Sequence, residues 1–186
     1  MHYDRPAVKL VILDRDGVIN HDSPEFIRSP AEWVPIPGSI GAIARLGAAG
    51  YRVAVATNQS GVGRGLVTVA TLERIHRQMH EAVRAAGGEI AGVYFCPHRA
   101  DDRCRCRKPE PGLLLEIARE FGVDPREAWA VGDSARDIEA ARRAGARPVL
   151  VLSGNGRATL EAGGAIEGVR VHEDLAGFVD ALLAVD

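Results

Sequence analysis

Two rhythms of apolar residues alternate along the chain. Short, nearly unbroken runs stand at residues 8–13, 51–57, 91–95, 129–132 and 148–152, with a shorter one at 169–171. Runs of this kind, closed by glycine or polar residues, read as strands buried on both faces. Between them apolar residues fall at helical spacing. Ile40, Ile43, Leu46 and Ala49 form one set, Val69, Leu72, Ile75, Met79 and Val83 another, and Leu113, Leu114, Ile117 and Phe121 a third. They predict helices over 39–49, from about 68 to Gly87-Gly88, and after Pro111, with two more over about 135–143 and 174–183. Strands alternating with helices make a parallel sheet of βαβ units, so the expected fold is a doubly wound α/β sheet. Residues 17–24, 58–65 and 154–156 read as loops rich in turn residues, and 32–38 is extended because each residue before a proline is pushed out of helical geometry.

Composition narrows the class. A length of 186 residues suits one domain, 1–186, with a real core. Hydrophobic residues at 46% and charged residues at 26% are those of a soluble globular protein. A net charge of -2 gives no general drive toward nucleic acid or an anionic membrane. The apolar runs are far shorter than the roughly 20 residues of a membrane helix. Residues 1–9 carry both signs of charge and Pro6, with no leader pattern after them, so the cytoplasm is the expected compartment. The segments between strands are too short for a separate cap domain, and a monomer is expected.

Candidate chemistry collects at the strand ends. Asp14 and Asp16 follow the first run, one residue apart, where ligands bind in open α/β sheets. Two such carboxylates repel, and a hard cation with oxygen ligands, Mg2+, would relieve them; the alternative is a pair of solvated loop acids. Thr57 and Asn58 end the second run, Arg107 and Lys108 precede a helix, and Asp133 and Asp137 follow the fourth run. The three cysteines, Cys96, Cys104 and Cys106, all lie within eleven residues together with His98. Three sulfurs and one nitrogen can close a tetrahedral structural Zn2+ site over a loop at 96–106, with no open position for catalysis. The alternative is buried cysteines beside a surface histidine. His76 and His80, one turn apart, read as a solvated helix face. Arg99, Arg103, Arg105, Arg107 and Lys108 form a basic cluster without the interleaved aromatics of a nucleic-acid surface, so a small phosphate-rich substrate fits better. Trp33 and Trp129 read as packing residues. Ser134 and residues 154–156 yield no reading.

Asp14-Arg15-Asp16-Gly17, the strand-terminal Thr57, Lys108-Pro109 and Gly132-Asp133-x-x-x-Asp137 resemble, in order, the four motifs of the haloacid dehalogenase superfamily of phosphatases. The resemblance spans residues 8 to about 152. It implies Asp14 as nucleophile forming an aspartyl-phosphate and Asp16 as acid and base. It further implies Mg2+ held by Asp14, Asp133 and the backbone carbonyl of Asp16, with Thr57 and Lys108 on the phosphoryl oxygens. Asp137 would support the metal or hold Lys108. Cys96-Pro97-His98, Cys104-x-Cys106-Arg107-Lys108-Pro109-x-Pro111-Gly112 and Thr57-Asn58-Gln59-Ser60-Gly61-x-x-Arg64-Gly65 resemble the heptose-bisphosphate phosphatases of that superfamily. This implies removal of the C7 phosphate of D-glycero-D-manno-heptose 1,7-bisphosphate, with Asp22, Asn58, Gln59, Ser60 and Arg107 as substrate contacts. Five residues between His98 and Cys104 are closer to the histidinol-phosphate phosphatases, and Ser134 stands where the heptose family often has lysine. Histidinol phosphate is therefore an alternative substrate, and a phosphosugar-binding protein without turnover an alternative of another class.

Overall fold

The structure, a computed structural model, describes residues 8–164 and 166–185; residues 1–7, over which no leader pattern is read, lie outside them. Six strands form one parallel sheet: β1 (Lys9–Leu13), β2 (Tyr51–Asn58), β3 (Gly92–Cys96), β4 (Trp129–Gly132), β5 (Arg147–Val151) and β6 (Arg170–His172). Their order is β3-β2-β1-β4-β5-β6, the doubly wound arrangement that the alternation predicts. The strand order reverses between β1 and β4, so a crevice opens at their carboxyl ends. In that register Val11 pairs with Val53 on one side and Trp129 on the other, and the Asp14 N–H extends the ladder to the Val131 carbonyl at 2.9 Å. Asp14 is thereby fixed at the switch point by backbone pairing.

Strand alternation sends side chains to two cores. Val11, Leu13, Val53, Val55, Val131 and Val149 meet α1 (Ser39–Ala48), α3 (Val69–Ala85) and α7 (Leu175–Leu183) through Ile43, Leu46, Ile75, Met79 and Phe178. Leu10, Ile12, Ala54, Ala56 and Ala130 meet α4 (Gly112–Phe121) and α5 (Ala135–Ala144) through Leu113, Leu114, Ile117, Ala140 and Ala141. Trp33 packs in the first core, and Trp129 sits edge-on to Phe178 with Arg147 and Arg170 over its ring. No helix among the described residues is long and apolar enough to cross a membrane.

Three local expectations are corrected. Residues 58–65 are not all loop: α2 (Ser60–Gly63) is a single helical turn, too short to show periodicity. The stretch after β5 contains α6 (Gly156–Ala162), in which Gly156 alone is buried, so no apolar face marks it in the sequence. Val69 is exposed because it opens α3, where Thr68 caps the helix by accepting from the Thr71 N–H. Phe178 is fully buried between Trp129 and His172. Phe178→Ala should cost about 3–5 kcal/mol of stability, read as a lowered denaturation midpoint.

Candidate active site

The loop before α4 brings Lys108 over the end of β2, and Asn58 holds it there. The Asn58 amide donates to the Lys108 carbonyl and accepts from the Lys108 N–H, both at 3.0 Å. The Lys108 side chain, 4% exposed, then reaches the switch point. Its Nζ lies 3.0 Å from Asp14 Oδ1 and 2.6 Å from Asp137 Oδ1, and donates to the Ala56 carbonyl at 2.8 Å. Three acceptors match the three protons of an ammonium.

Asp137 sits in the first turn of α5, where Ser134 caps the helix. Its Oδ2 accepts from the Ser134 N–H at 3.0 Å and hydroxyl at 2.5 Å. Ser134 thus has a structural place that its sequence position did not disclose. Asp133 ends β4, and its Oδ2 accepts from Asn155 through the backbone N–H at 2.8 Å and Nδ2 at 3.2 Å. Gly17 and Gly154 press against it. A Cβ on Gly17 would lie 2.0 Å from Asp133 Oδ2 and one on Gly154 2.3 Å from it, and both glycines hold positive φ.

Asp16 faces a different set of partners. Arg15 grips it with a fork, Nε to Oδ1 at 3.0 Å and Nη2 to Oδ2 at 2.9 Å. Asn20 Nδ2 donates to Oδ1 and Gln59 Nε2 to Oδ2, each at 2.9 Å, and the same Gln59 nitrogen donates to Thr57 Oγ1 at 2.9 Å. A cavity of about 200 Å³ is lined by Asp14, Asp16, Thr57, Gln59, Lys108 and Asp133, together with Asp22, Ser60, Arg107 and Arg136. A second cavity of about 480 Å³ adjoins it and is lined by Arg99, Arg103, Arg105, Arg107 and Arg136.

The carboxylates are crowded and dry. Burial, with repulsion from Asp137, Asp133 and Asp16, pushes Asp14 up to about 8 against the pull of Lys108. Burial and Asp137 push Asp133 up to about 7, against the donors of Asn155. Burial acts on Asp137 in the same sense, but the Lys108 ammonium and the bonds from Lys108 and Ser134 hold it below its ordinary value. Burial alone would lower Lys108, yet its two carboxylate neighbours keep it above its usual range.

Oxygens of Asp14, Asp133 and Asp137 lie within 4.8 Å of one another. Both Asp137 oxygens and Asp14 Oδ1 are already bonded, the last also by the Arg15 N–H at 2.8 Å. Among the described residues, Asp14 Oδ2 and Asp133 Oδ1 receive no hydrogen bond. The free oxygen of Asp133 suits Mg2+, which takes one or two carboxylates and completes its shell with water and phosphate, and the free Oδ2 of Asp14 faces the same crevice.

The cysteine loop gathers as expected. The Cys106 sulfur is 3.3 Å from that of Cys96 and 3.5 Å from that of Cys104, Cys96 and Cys104 are 3.6 Å apart, and His98 Nδ1 is 3.3 Å from the Cys106 sulfur. These exceed a disulfide by more than an ångström. They approach the edge of about 3.8 Å in a tetrahedron with metal–sulfur bonds of about 2.3 Å. The Arg107 N–H also points to the Cys104 sulfur at 3.4 Å, which favours a thiolate there.

The fold therefore brings Asp14, Asp16, Thr57, Lys108 and Asp133 to one crevice, lined also by Asp22, Asn58, Gln59, Ser60 and Arg107. Asn58, expected on the substrate, is turned to the backbone of Lys108. His76 is not on a solvated face: it is buried, its Nε2 3.2 Å from Arg15 Nη1, because α3 lies against the loop after β1. Arg15, Asn20, Asn155 and Arg136 were missed. Arg15 lies inside the first motif and Asn155 between two glycines after β5, which were the available signals.

The HAD-hydrolase-like family profile matches residues 105–178. The D-glycero-beta-D-manno-heptose-1,7-bisphosphate 7-phosphatase of Bordetella bronchiseptica is 54% identical over 176 residues, 95% of this chain and 98% of its own length. The chain belongs to this phosphatase family. The protein of that name from Pseudomonas putida is 50% identical over 95% of this chain and 100% of its own. The crystal structure of the D,D-heptose 1,7-bisphosphate phosphatase from B. bronchiseptica, complexed with magnesium and phosphate, matches with a TM-score of 0.94 at 53% identity, over 96% of this chain and 100% of that one. The Burkholderia thailandensis counterpart matches at a TM-score of 0.76 and 50% identity, over 95% and 99%. Membership makes the chain a phosphoric monoester hydrolase with a HAD-like fold.

Raised carboxyl groups tie stability to pH. Between the ordinary 3.8 and about 7–8, folded Asp14 and Asp133 retain protons that the unfolded chain has released, so their contribution to stability falls as pH rises. Mg2+ taken up by the deprotonated pair should raise the thermal midpoint more at pH 8 than at pH 5. Differential scanning with and without Mg2+ checks this, and Asp133→Asn should abolish the difference.

Proposed function

We propose that the protein hydrolyses the C7 phosphate ester of D-glycero-β-D-manno-heptose 1,7-bisphosphate through an aspartyl-phosphate on Asp14, as a monomeric single-domain enzyme of the cytoplasm. The observation that carries the mechanism is the asymmetry of Asp14: Oδ1 is tied to Lys108 and the Arg15 N–H, and Oδ2 is free. The names of relatives matched over nearly their whole length support the substrate. So does the arginine-lined cavity beside the first, which a second phosphate would occupy and a monophosphate such as histidinol phosphate would leave unused.

In this reading Asp14 Oδ2 attacks phosphorus while the bond to the C7 oxygen breaks. Protonated Asp16 gives its proton to that oxygen, so an alcohol leaves instead of an alkoxide. The Asp16 carboxylate then takes a proton from water, whose oxygen attacks phosphorus. The P–Oδ2 bond breaks, and inorganic phosphate, free Asp14 and protonated Asp16 result. The Thr57 hydroxyl holds a phosphoryl oxygen, and the Lys108 ammonium, turning one proton from Asp14 to the transferred group, offsets the charge that spreads over it. Mg2+, held by Asp14, Asp133 and the backbone carbonyl of Asp16, supplies charge neutralisation between carboxylate and phosphate. Asp22, Gln59 and Ser60 line the sugar path and Asn58 fixes Lys108. The planar fork of Arg107 suits the second phosphate. Cys96, His98, Cys104 and Cys106 hold a structural Zn2+ that stiffens the loop carrying Arg107 and Lys108.

Phosphate release with Mg2+ should be fastest from the heptose bisphosphate, slower from histidinol phosphate and slowest from a simple alkyl phosphate. Preference for histidinol phosphate would transfer the assignment to that ester. Asp14→Asn should abolish turnover with the fold intact. Arg107→Ala should raise KM for the bisphosphate by about ten- to a hundredfold, the loss of a charged hydrogen-bond pair, and leave KM for a monophosphate little changed.

Elemental analysis should find about one zinc per chain. Cys104→Ser should lose it and raise KM, while global stability changes less than in Phe178→Ala. Full activity in a zinc-free protein would contradict that role.

A further inference from the structure

Helix α3 lies behind the sheet and lends one side chain to the loop after β1. His76, 7% exposed, packs edge-on to Phe95 and brings Nε2 to 3.2 Å from Arg15 Nη1. A guanidinium only donates, so Nε2 must accept and the imidazole is neutral with its proton on Nδ1. Burial and the adjacent Arg15 cation hold the ring far below its ordinary value, at about 3, which keeps that acceptor in place at any working pH. Arg15 is 1% exposed, and its Nε and Nη2 form the fork on Asp16. His76 therefore occupies the guanidinium nitrogen that the fork leaves over. With Nη1 tied to the helix, the plane of the guanidinium is set, and with it the plane of the carboxylate.

We propose that His76 and Arg15 are a positioning pair for the proposed reaction, in which His76 on α3 orients the Arg15 guanidinium and the guanidinium fixes the Asp16 carboxylate for proton transfer to the leaving oxygen and from the attacking water. This rests on the reading of Asp16 as acid and base. Neither side chain lines the cavity. Gln59 in the cavity lining and the buried Asn20 complete the shell of Asp16, but both are neutral amides and neither has the planar fork that fixes a carboxylate at two points. His80, one turn further along α3, has no such link to Asp16, so the inference is confined to His76.

The test uses the difference between leaving groups. An alkyl alcohol needs a proton to leave, whereas p-nitrophenolate does not. His76→Leu should lower kcat for the heptose bisphosphate by about tenfold or more with KM within about twofold, and should leave the pre-steady-state burst of p-nitrophenolate from p-nitrophenyl phosphate within about twofold of the parent. His76→Gln, whose side-chain carbonyl can accept from Nη1, should restore kcat to within about threefold. Arg15→Lys keeps the cation and loses the fork; it should reproduce the pattern of His76→Leu and carries the test if that variant does not fold. An equal loss on both esters, or parental kcat in His76→Leu or Arg15→Lys, overturns the pair. Asp16→Asn is run beside them. If it loses the alkyl ester selectively while the His76 and Arg15 variants do not, only the positioning pair fails. If Asp16→Asn shows no selectivity, the acid–base reading itself fails, and the pair with it.

Discussion

One buried ammonium balances the crevice. Lys108 stands between Asp14 and Asp137 with its third proton on a backbone carbonyl, and three carboxylates share a space with little water. Taking one partner of such a buried pair away leaves an uncompensated charge, at a cost of about 3–5 kcal/mol. Lys108 neutralises only part of the acid around it. Asp14 and Asp133 remain far above their ordinary values, and that residual repulsion makes the crevice receptive to a divalent cation. Excess negative charge, awkward for the isolated chain, is what a metal-assisted phosphate site requires.

The surroundings make this arrangement rigid. Asn58 holds the backbone of Lys108, Ser134 holds Asp137, and Asn155 holds Asp133, each with two hydrogen bonds. Gly17 and Gly154 let two loops close on Asp133 where a side chain would collide with it. Asp14 itself needs no such support, because β-ladder pairing with Val131 sets its backbone. The order of support follows chain geometry: strand ends are placed by the sheet, and loop and helix residues by side-chain bonds to them.

The two cavities share Arg107, Lys108 and Arg136, and Cys104 and Arg105 of the cysteine loop wall the second. That loop is pinned to the neighbouring segment by the Gly63 N–H on the Pro97 carbonyl at 2.9 Å and by the Gln59 N–H on the Cys96 carbonyl at 2.7 Å. A loop built on small and charged residues has little apolar surface to order it. A metal ion held by the three sulfurs and the imidazole would supply the order that hydrophobic burial cannot.

The apolar runs and helical spacings alone determined the strand–helix alternation, the sheet class and five of the seven α-helices among the described residues, because each strand or long helix must bury a face and its periodicity records that need. The acids at the strand ends were legible for the same reason, since a strand run announces its own end. The short helices α2 and α6 were not, because the residues they bury are Ser60, Gly61 and Gly156, which leave no apolar pattern. Nor was the environment of Arg15 and His76, which are 61 residues apart, the one read only as part of the first motif and the other as part of a solvated helix face. Only the packing of α3 against the first loop buries them together, and only the closure of the loop after β5 brings Asn155 to Asp133. Local patterning fixes which elements form and where their polar ends lie. Pairings between polar groups distant in sequence carry no periodic signature, and the tertiary fold alone decides them.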